Sequence, residues 1–265
     1  MRISVITVCR NAEKTISDTI GSVRAQDHAD YEHIVVDGAS TDRTMDVVRR
    51  LRHDKLKVVS EPDRGLYDAM NKGIALARGD LIGFLNSDDF FCRTDALSLI
   101  AATARENPDA AAVSAGLVFV DSDQTSLVRR TYGAVGFRRW MLRFGHMPPH
   151  PGFYTSAAAF RAVGAFETEK QVGSDFEWMV RFFCVRGLAA APLAEPIVAM
   201  RMGGLSTRGW KSMRIINAEA RQTLSRHKVR TTTALIWSKY LVKAGQLTAT
   251  KISFRVPESV RWKPD

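Results

Sequence analysis

Cysteine is scarce in this chain: three residues in 265, at positions 9, 92 and 184. An odd number so widely spaced excludes a disulfide framework and a paired zinc-ligand pattern, and points to reduced thiols in a cytosolic setting. Cys9 has no His neighbour to activate it, so it reads as a small buried hydrophobe. Long apolar runs are missing too. No stretch reaches the roughly 18 uninterrupted apolar residues that a spanning helix requires. The opening MRISVITVCRNAEKT reads as a strand and lacks a signal-peptide cleavage pattern, so no leader is expected. No G-x-G-x-x-G follows that strand, which counts against a dehydrogenase. Acids are nearly absent from one end. Residues 207–265 hold 13 Lys/Arg against Glu219, Glu258 and Asp265, whereas residues 1–206 hold 25 of each sign. The whole net charge of +10 therefore lies in the C-terminal segment and calls for an acidic partner or surface.

What is present is an alternation of short apolar runs and amphipathic stretches. Ile3–Val8, Glu32–Val36, Lys57–Ser60 and Leu81–Leu85 read as strands. Helices are expected over Ala12–Ala25 with Ile16, Ile20 and Val23 on one face, near Arg43–Arg52, and over Leu66–Ala77 with Leu66, Met70, Ile74 and Ala77 inward. Short connections between these elements predict a parallel sheet with right-handed crossovers. Beyond Asp89 the pattern loosens. Asp95–Arg105 and Ser174–Arg186 read as helices, the latter with Phe176, Met179, Val180 and Phe183 on one stripe. Ala110–Asp121, Leu127–Tyr132 and Ala189–Met202 read as extended chain, and Met147–Tyr154 as a Pro-rich irregular segment. From Trp210 the chain reads as basic amphipathic helices, with Trp210, Met213, Ile216, Ala220 and Leu224, then Trp237, Leu241 and Ala244, on their apolar sides.

The most informative stretch is GDLIGFLNSDDF, residues 79–90. An uncharged strand ends abruptly in Asn86-Ser87-Asp88-Asp89. Two adjacent carboxylates at the end of a central strand repel each other unless a cation lies between them and something anionic. Mg²⁺ is commonly held by one or two carboxylates plus substrate phosphates, and open α/β sheets bind ligands at the carboxyl ends of their strands. A solvated turn before a capped helix is the plainer alternative. Asn11, Asp37, Asp63 and Arg64 also follow predicted strand ends. So many acids on one edge suit a phosphate ligand only if a divalent cation bridges them.

Four segments, SVITVCRNAEKTI, IVVDGASTDRT, EPDRGLYDAMNKGIALARGDLIGFLNSDD and GSDFEWMVRF, resemble glycosyltransferase family 2 in order and spacing over about residues 1–205. The resemblance implies a GT-A fold: a mostly parallel sheet with helices on both faces and a small antiparallel addition. It implies a nucleotide-binding half (1–110), an acceptor half (111–205), and a basic tail (206–265) outside it. It further implies a metal-dependent inverting transfer from a nucleoside-diphosphate sugar, UDP-sugar favoured, to a hydroxyl of a glycan or lipid-linked saccharide in bacterial exopolysaccharide or glycolipid synthesis. Asp37 matches the position that accepts from the nucleotide base, although the family more often shows two acids where this chain has Asp37-Gly38. Thr7, Cys9 and Asn11 match the first loop around the nucleoside, and Asp63, Arg64 and Asn71 the segment lining base and ribose. Asp88 and Asp89 match the DXD-type motif for Mg²⁺ or Mn²⁺, with Asp89 the direct ligand and Asp88 facing the ribose of the nucleotide or the metal's water shell. Asp175 matches the catalytic base, with Glu177 its rival. His150 is a candidate acceptor or phosphate contact. Arg201, Gly203 and Gly204 fall in a loop that could close on the diphosphate.

Basic helices carrying Trp and Leu suit an anionic bilayer surface, so the tail is expected to hold the protein on the cytoplasmic face of a membrane; packing on the domain is the alternative. A non-enzymatic nucleotide or nucleic-acid binder using the tail is the competing function. No RNP-like, KH-like or helix-turn-helix pattern supports it, and no nucleic-acid partner is expected. A sugar nucleotidyltransferase would share the fold, but its Gly-rich, Arg/Lys-containing first loop is missing.

Overall fold

The computed structural model describes residues 1–170, 172–203 and 209–240, side chains excepted at 209–212. Strands β1 (Ile3–Cys9), β2 (Tyr31–Asp37), β3 (Leu56–Ser60) and β4 (Leu81–Phe84) alternate with helices α1 (Ile16–Arg24), α2 (Thr44–Arg50) and α3 (Leu66–Leu76). All four strands are parallel, in the order β3-β2-β1-β4. Every residue of β1, β2 and β4 is buried, as expected of strands covered on both faces. Ile16, Ile20 and Val23 of α1 are fully buried, as their spacing predicts.

The second half extends the same sheet. β5 (Phe90–Phe91) and α4 (Ala96–Glu106) are followed by β6 (Ala112–Val120) and β7 (Val128–Tyr132). Then come β8 (Phe153–Ser156), α5 (Ala157–Val163), α6 (Ser174–Val180), β9 (Ala190–Arg201) and α7 (Gly209–Arg226). The sheet order continues β4-β8-β6-β9-β5, with β7 paired to β6. β8 runs antiparallel between β4 and β6 and stitches the two halves together. Mixed α/β with a mostly parallel sheet is the expected class.

Four local expectations are corrected. The Pro-rich segment delivers β8 and α5, hidden because four residues of strand stand between a proline turn and an alanine-rich run. The inward face of α3 is broader than its apolar spacing predicts: Met70, Ile74 and Ala77 pack on the core as expected, but Tyr67, Ala69 and Gly73 join them and Leu66, 42% exposed, does not. Gly73 fits that face because it has no side chain, since a Cβ there would come within 2.4 Å of Ile6 Cγ2 on β1. The helix from Ser174 keeps its predicted stripe but widens to a π-helical turn over Arg181–Val185. Finally, the segment after residue 205 is no free tail as far as it is described. Ala220 and Leu224 of α7 and Ile236 of the helical stretch 233–240 are buried in the core with Phe176, Trp178 and Phe182. That part of the apolar stripe is spent inside the domain and is closed to a bilayer. Ser206, Leu241 and Ala244, and the Trp210 side chain, lie outside the described residues. Among those described, no helix is long and apolar enough to cross a membrane.

The seam at β8 is tight. A Cβ on Gly83 of β4 would stand 2.3 Å from the Tyr154 ring of β8, which is itself fully buried. Gly83→Ala is expected to cost about 1–3 kcal/mol by overpacking, measured as a lower urea midpoint with an unchanged m-value.

Candidate active site

The carboxyl ends of β3, β2, β1 and β4 share one edge, with Ser60, Asp37, Cys9 and Phe84 as their last residues. Phe84 is level with Ile34, three residues short of Asp37, so with neighbouring strands about 4.8 Å apart and about 3.3 Å per residue the two strand ends are separated by about 14 Å. Leu85 donates its N–H to the Ile6 carbonyl, and the chain then turns through Asn86–Asp89 into β5.

Asp89 is the unusual group on this edge. It is fully buried, its Oδ2 accepts from Asn86 Nδ2 at 3.0 Å, and its Oδ1 has no hydrogen-bond partner among the described residues. Burial first, and the neighbouring Asp88 second, push its carboxyl well above the ordinary range. Burial likewise raises Asp88. A buried carboxylate oxygen with nothing to accept is costly unless an ion completes it. Among the described residues no group of three or more His, Cys, Asp or Glu could hold a metal ion unaided. A hard cation here would need further oxygen ligands, which fits a shared site with a diphosphate.

The turn bearing these acids is braced from below. Thr19 Oγ1 donates to the Asp89 carbonyl at 2.7 Å, and Arg201 donates to the Asp88 carbonyl at 2.7 Å. Arg201 is also ion-paired with Asp18, is nearly buried, and lies over the Phe90 ring at 5.1 Å. The expectation that Arg201 contacts a phosphate is therefore corrected: its guanidinium is already committed to the turn. Gly203 has φ +111°, a backbone state open to glycine, and Gly204 lies outside the described residues.

The nucleoside positions divide in two. Thr7 is fully buried and bonded through Oγ1 to His33 Nε2 at 2.9 Å, and Cys9 is buried with its thiol donating to Asp37 at 3.7 Å. Burial and Asp37 push that thiol far up, so it is no nucleophile. Asp37 is itself fully buried. Its carboxylate accepts from the Ser40 N–H, the Ser40 hydroxyl and the Ser60 hydroxyl, the last at 2.7 Å. It braces the 38–41 turn, and direct acceptance from a base would require those bonds to exchange. Asn11, at φ +54°, is exposed and fixes the same turn by accepting from the Thr41 N–H at 2.9 Å. Asp63 reaches over this turn. A Cβ on Gly38 would lie 2.2 Å from Asp63 Oδ2, so glycine at that position makes room for the Asp63 carboxylate. Arg64 is exposed and paired with Asp68 at 2.8 Å. Asn71 is corrected from a ligand contact to a structural tie: its amide donates to the Phe166 carbonyl and accepts from the Phe166 N–H, both at 2.9 Å.

Asp175 lies in the first turn of α6. Its Oδ1 accepts from the Phe176 N–H at 2.7 Å and from the Tyr67 hydroxyl at 3.4 Å. Desolvation outweighs these bonds and pushes its carboxyl up to about 6, with Glu219 adding to the rise. Tyr67, which also donates to the Val172 carbonyl, could not be singled out in the sequence, because it lies beside the apolar stripe drawn through Met70 and Ile74. His150 stacks on Phe84, at the end of β4, with ring centroids 5.2 Å apart, and Phe166 meets His150 at 5.8 Å and Tyr67 at 5.9 Å. These rings form one wall running from the end of β4 to Asp175. Burial pushes the imidazole down to about 4, so it is neutral at physiological pH and cannot act as a cationic phosphate clamp.

Glu177 is excluded as the base. It is fully buried, chelated by Arg181 and bonded to His227 Nε2 at 2.9 Å, and so clamps α7 to α6. Glu177→Gln is expected to cost about 3–5 kcal/mol by stranding Arg181. Melting should show the loss, while turnover per folded molecule stays close to wild type.

A parallel first half, an acidic turn after β4 and a mixed second half joined through antiparallel β8 make up a GT-A fold. The chain belongs to glycosyl transferase family 2, whose model matches residues 4–167, and it is a glycosyltransferase. It is 28% identical over 207 residues, 77% of this chain and 78% of the other, to a PGL/p-HBAD biosynthesis glycosyltransferase of Mycobacterium bovis. It is 31% identical over 198 residues to the uncharacterized glycosyltransferase Rv1514c of Mycobacterium tuberculosis, covering 74% and 71% of the two chains. In fold it is similar to S. aureus TarS 1–349 in complex with UDP-GlcNAc, with TM-score 0.60, 20% identity, and 86% and 71% of the chains covered. This chain spans 43% of a longer TarS structure. It is also similar to the mannosyltransferase PcManGT from Pyrobaculum calidifontis in complex with GDP-Man and Mn²⁺, with TM-score 0.62, 19% identity, and 97% and 77% covered.

Proposed function

We propose that this chain is a metal-dependent, inverting glycosyltransferase. It moves a sugar from a nucleoside-diphosphate sugar, UDP-sugar favoured, to a hydroxyl of a glycan or lipid-linked saccharide. The observation that carries this reading is the buried, partnerless Oδ1 of Asp89 beside Asp88, on the sheet edge that also carries Asp37 and Asp63. Asp89, helped by Asp88, would hold Mg²⁺ or Mn²⁺, which when bound supplies Lewis-acid neutralisation of the departing diphosphate. The nucleoside lies along Asn11, Gly38 and Asp63, with Asp37 holding the turn from beneath. Asp175 takes the proton from the acceptor hydroxyl as that oxygen attacks the anomeric carbon. The Tyr67–Phe166–His150 wall positions the acceptor beside it and keeps water from the reacting carbon. A lipid-linked acceptor would bring the protein to the cytoplasmic face of a membrane.

A thermal-shift screen of nucleotide sugars with and without Mn²⁺ tests this. UDP-GlcNAc and GDP-Man, bound by the structural relatives above, are the first probes. Stabilisation by one donor is expected to reach about 2.7 kcal/mol at 100 times its Kd and to depend on the ion. The reading fails if no nucleotide sugar raises the melting temperature under either condition.

A further inference from the structure

The acceptor half carries a second cavity that the donor chemistry does not use. A groove of about 620 Å³ opens between the 131–148 segment and Ser238, and Tyr132, Val135, Phe137, Trp140, Phe144 and Met147 line it. Its volume falls in the range of about 300–1,000 Å³ common for ligand sites, and its walls are largely apolar. Two of its lining residues are open to solvent, Val135 at 62% and Trp140 at 57%. Exposed aromatic and aliphatic side chains around a concave surface mark a binding site more often than a bare surface. The two walls are tied together where Tyr132 donates to the Met147 carbonyl at 2.5 Å.

Charge and position name the occupant. Residues 124–166 contain six arginines, no lysine and no acid. Arg138, Arg139 and Arg143, chain neighbours of the lining residues Phe137, Trp140 and Phe144, are exposed, and among the described residues none of them pairs with a carboxylate. The groove also lies close to the site along the chain. Its lining reaches Pro148, two residues before His150, a distance of at most about 7 Å along extended chain. The His150 ring stacks on Phe84 at the catalytic edge. The chain's own undescribed C-terminal stretch is a poor occupant, because residues 241–265 carry five Lys/Arg against two acids and would meet a basic rim.

We propose that this groove binds the apolar chain of an amphiphilic acceptor bearing an anionic, phosphate-type linker, with the arginine rim taking the linker and the saccharide reaching His150 and Asp175. The assignment rests on the transferase reading for its purpose but not for its detection. The probe is n-dodecyl phosphate below its micellar concentration, titrated calorimetrically into the full chain, with inorganic phosphate as control. Dodecyl phosphate is expected to bind and inorganic phosphate not. Trp140→Glu, at an exposed position that should not disturb folding, is expected to weaken binding at least tenfold, and Arg139→Glu about threefold to tenfold. The UDP-GlcNAc or GDP-Man thermal shift should be untouched in both variants. Equal affinity in wild type and Trp140→Glu overturns the proposal. So does flotation with phosphatidylglycerol vesicles without binding of the monomeric probe, which would make the patch a bilayer contact. A dimer that Trp140→Glu dissociates, again without probe binding, overturns it in favour of a second copy. Probe binding at the groove with no response to any nucleotide sugar would sink the proposed metal-dependent nucleotide-sugar reading and leave the groove assignment standing.

Discussion

Asp175→Asn is expected to lower transfer by about 10²–10⁴-fold, the usual contribution of a general base, while the affinity for the nucleotide sugar stays within about twofold. Asn keeps an Oδ1 that can accept from Phe176 and Tyr67, so the turn survives the change. The pH dependence is specific. With the carboxyl pushed up to about 6, the base is lost as pH falls through that value, and kcat/KM should drop about tenfold per unit below it. Stability runs the other way. The folded state holds a proton between about pH 4 and 6 that the unfolded chain has released, so stability falls as pH rises across that window, by up to about 1.4 kcal/mol per unit. At pH 7 the whole penalty is present in wild type. Asp175→Asn should therefore be the more stable protein at pH 7 and the poorer enzyme. Chemical denaturation at pH 4 and pH 7, paired with transfer assays, measures both. A variant that loses donor affinity and transfer together would show Asp175 to be a structural cap.

Asp89→Asn is the second large effect. The side chain is buried, its carboxyl is raised by burial and by Asp88, and Oδ1 is unsatisfied. Replacing it with a neutral amide removes the charge without removing any hydrogen bond recorded for that oxygen. The free variant should melt no lower than wild type. The Mn²⁺-dependent part of the nucleotide-sugar thermal shift should vanish, and transfer with it. Retention of the ion-dependent shift would move the metal elsewhere. The readout is a melting curve, so it remains informative even if no acceptor is known.

Much of the donor half could be read directly from residues, because its strands are buried on both faces and its helices keep a clean apolar period. Ile16, Ile20 and Val23 lie where their spacing puts them. The full inward face of α3 could not be read that way, since it includes a glycine whose missing side chain makes room for that of Ile6, and such a fit leaves no mark in hydrophobic periodicity. The same limit hid Tyr67. β8 was invisible for a different reason: its four residues take their meaning from the neighbours β4 and β6, which come from distant parts of the chain. Chemical type located the acids correctly but could not tell which were free. Asp37 and Asp89 look alike in sequence; one is satisfied by two serines and the other has an oxygen with no partner. Glu177 and Asp175 are two residues apart, and only packing shows that one is locked into Arg181 and His227.

Because β8 hydrogen-bonds to a strand from each half, the two halves form one unbroken sheet, and in the proposed reaction donor and acceptor would meet on it with no hinge line between them among the described residues. Rigid-body gaping of the kind seen in two-lobed enzymes would have to tear main-chain bonds at its centre. Entry of substrates and departure of products must then be the work of loops at the rim, and turnover should respond to changes in those loops far more than to changes that stiffen the body.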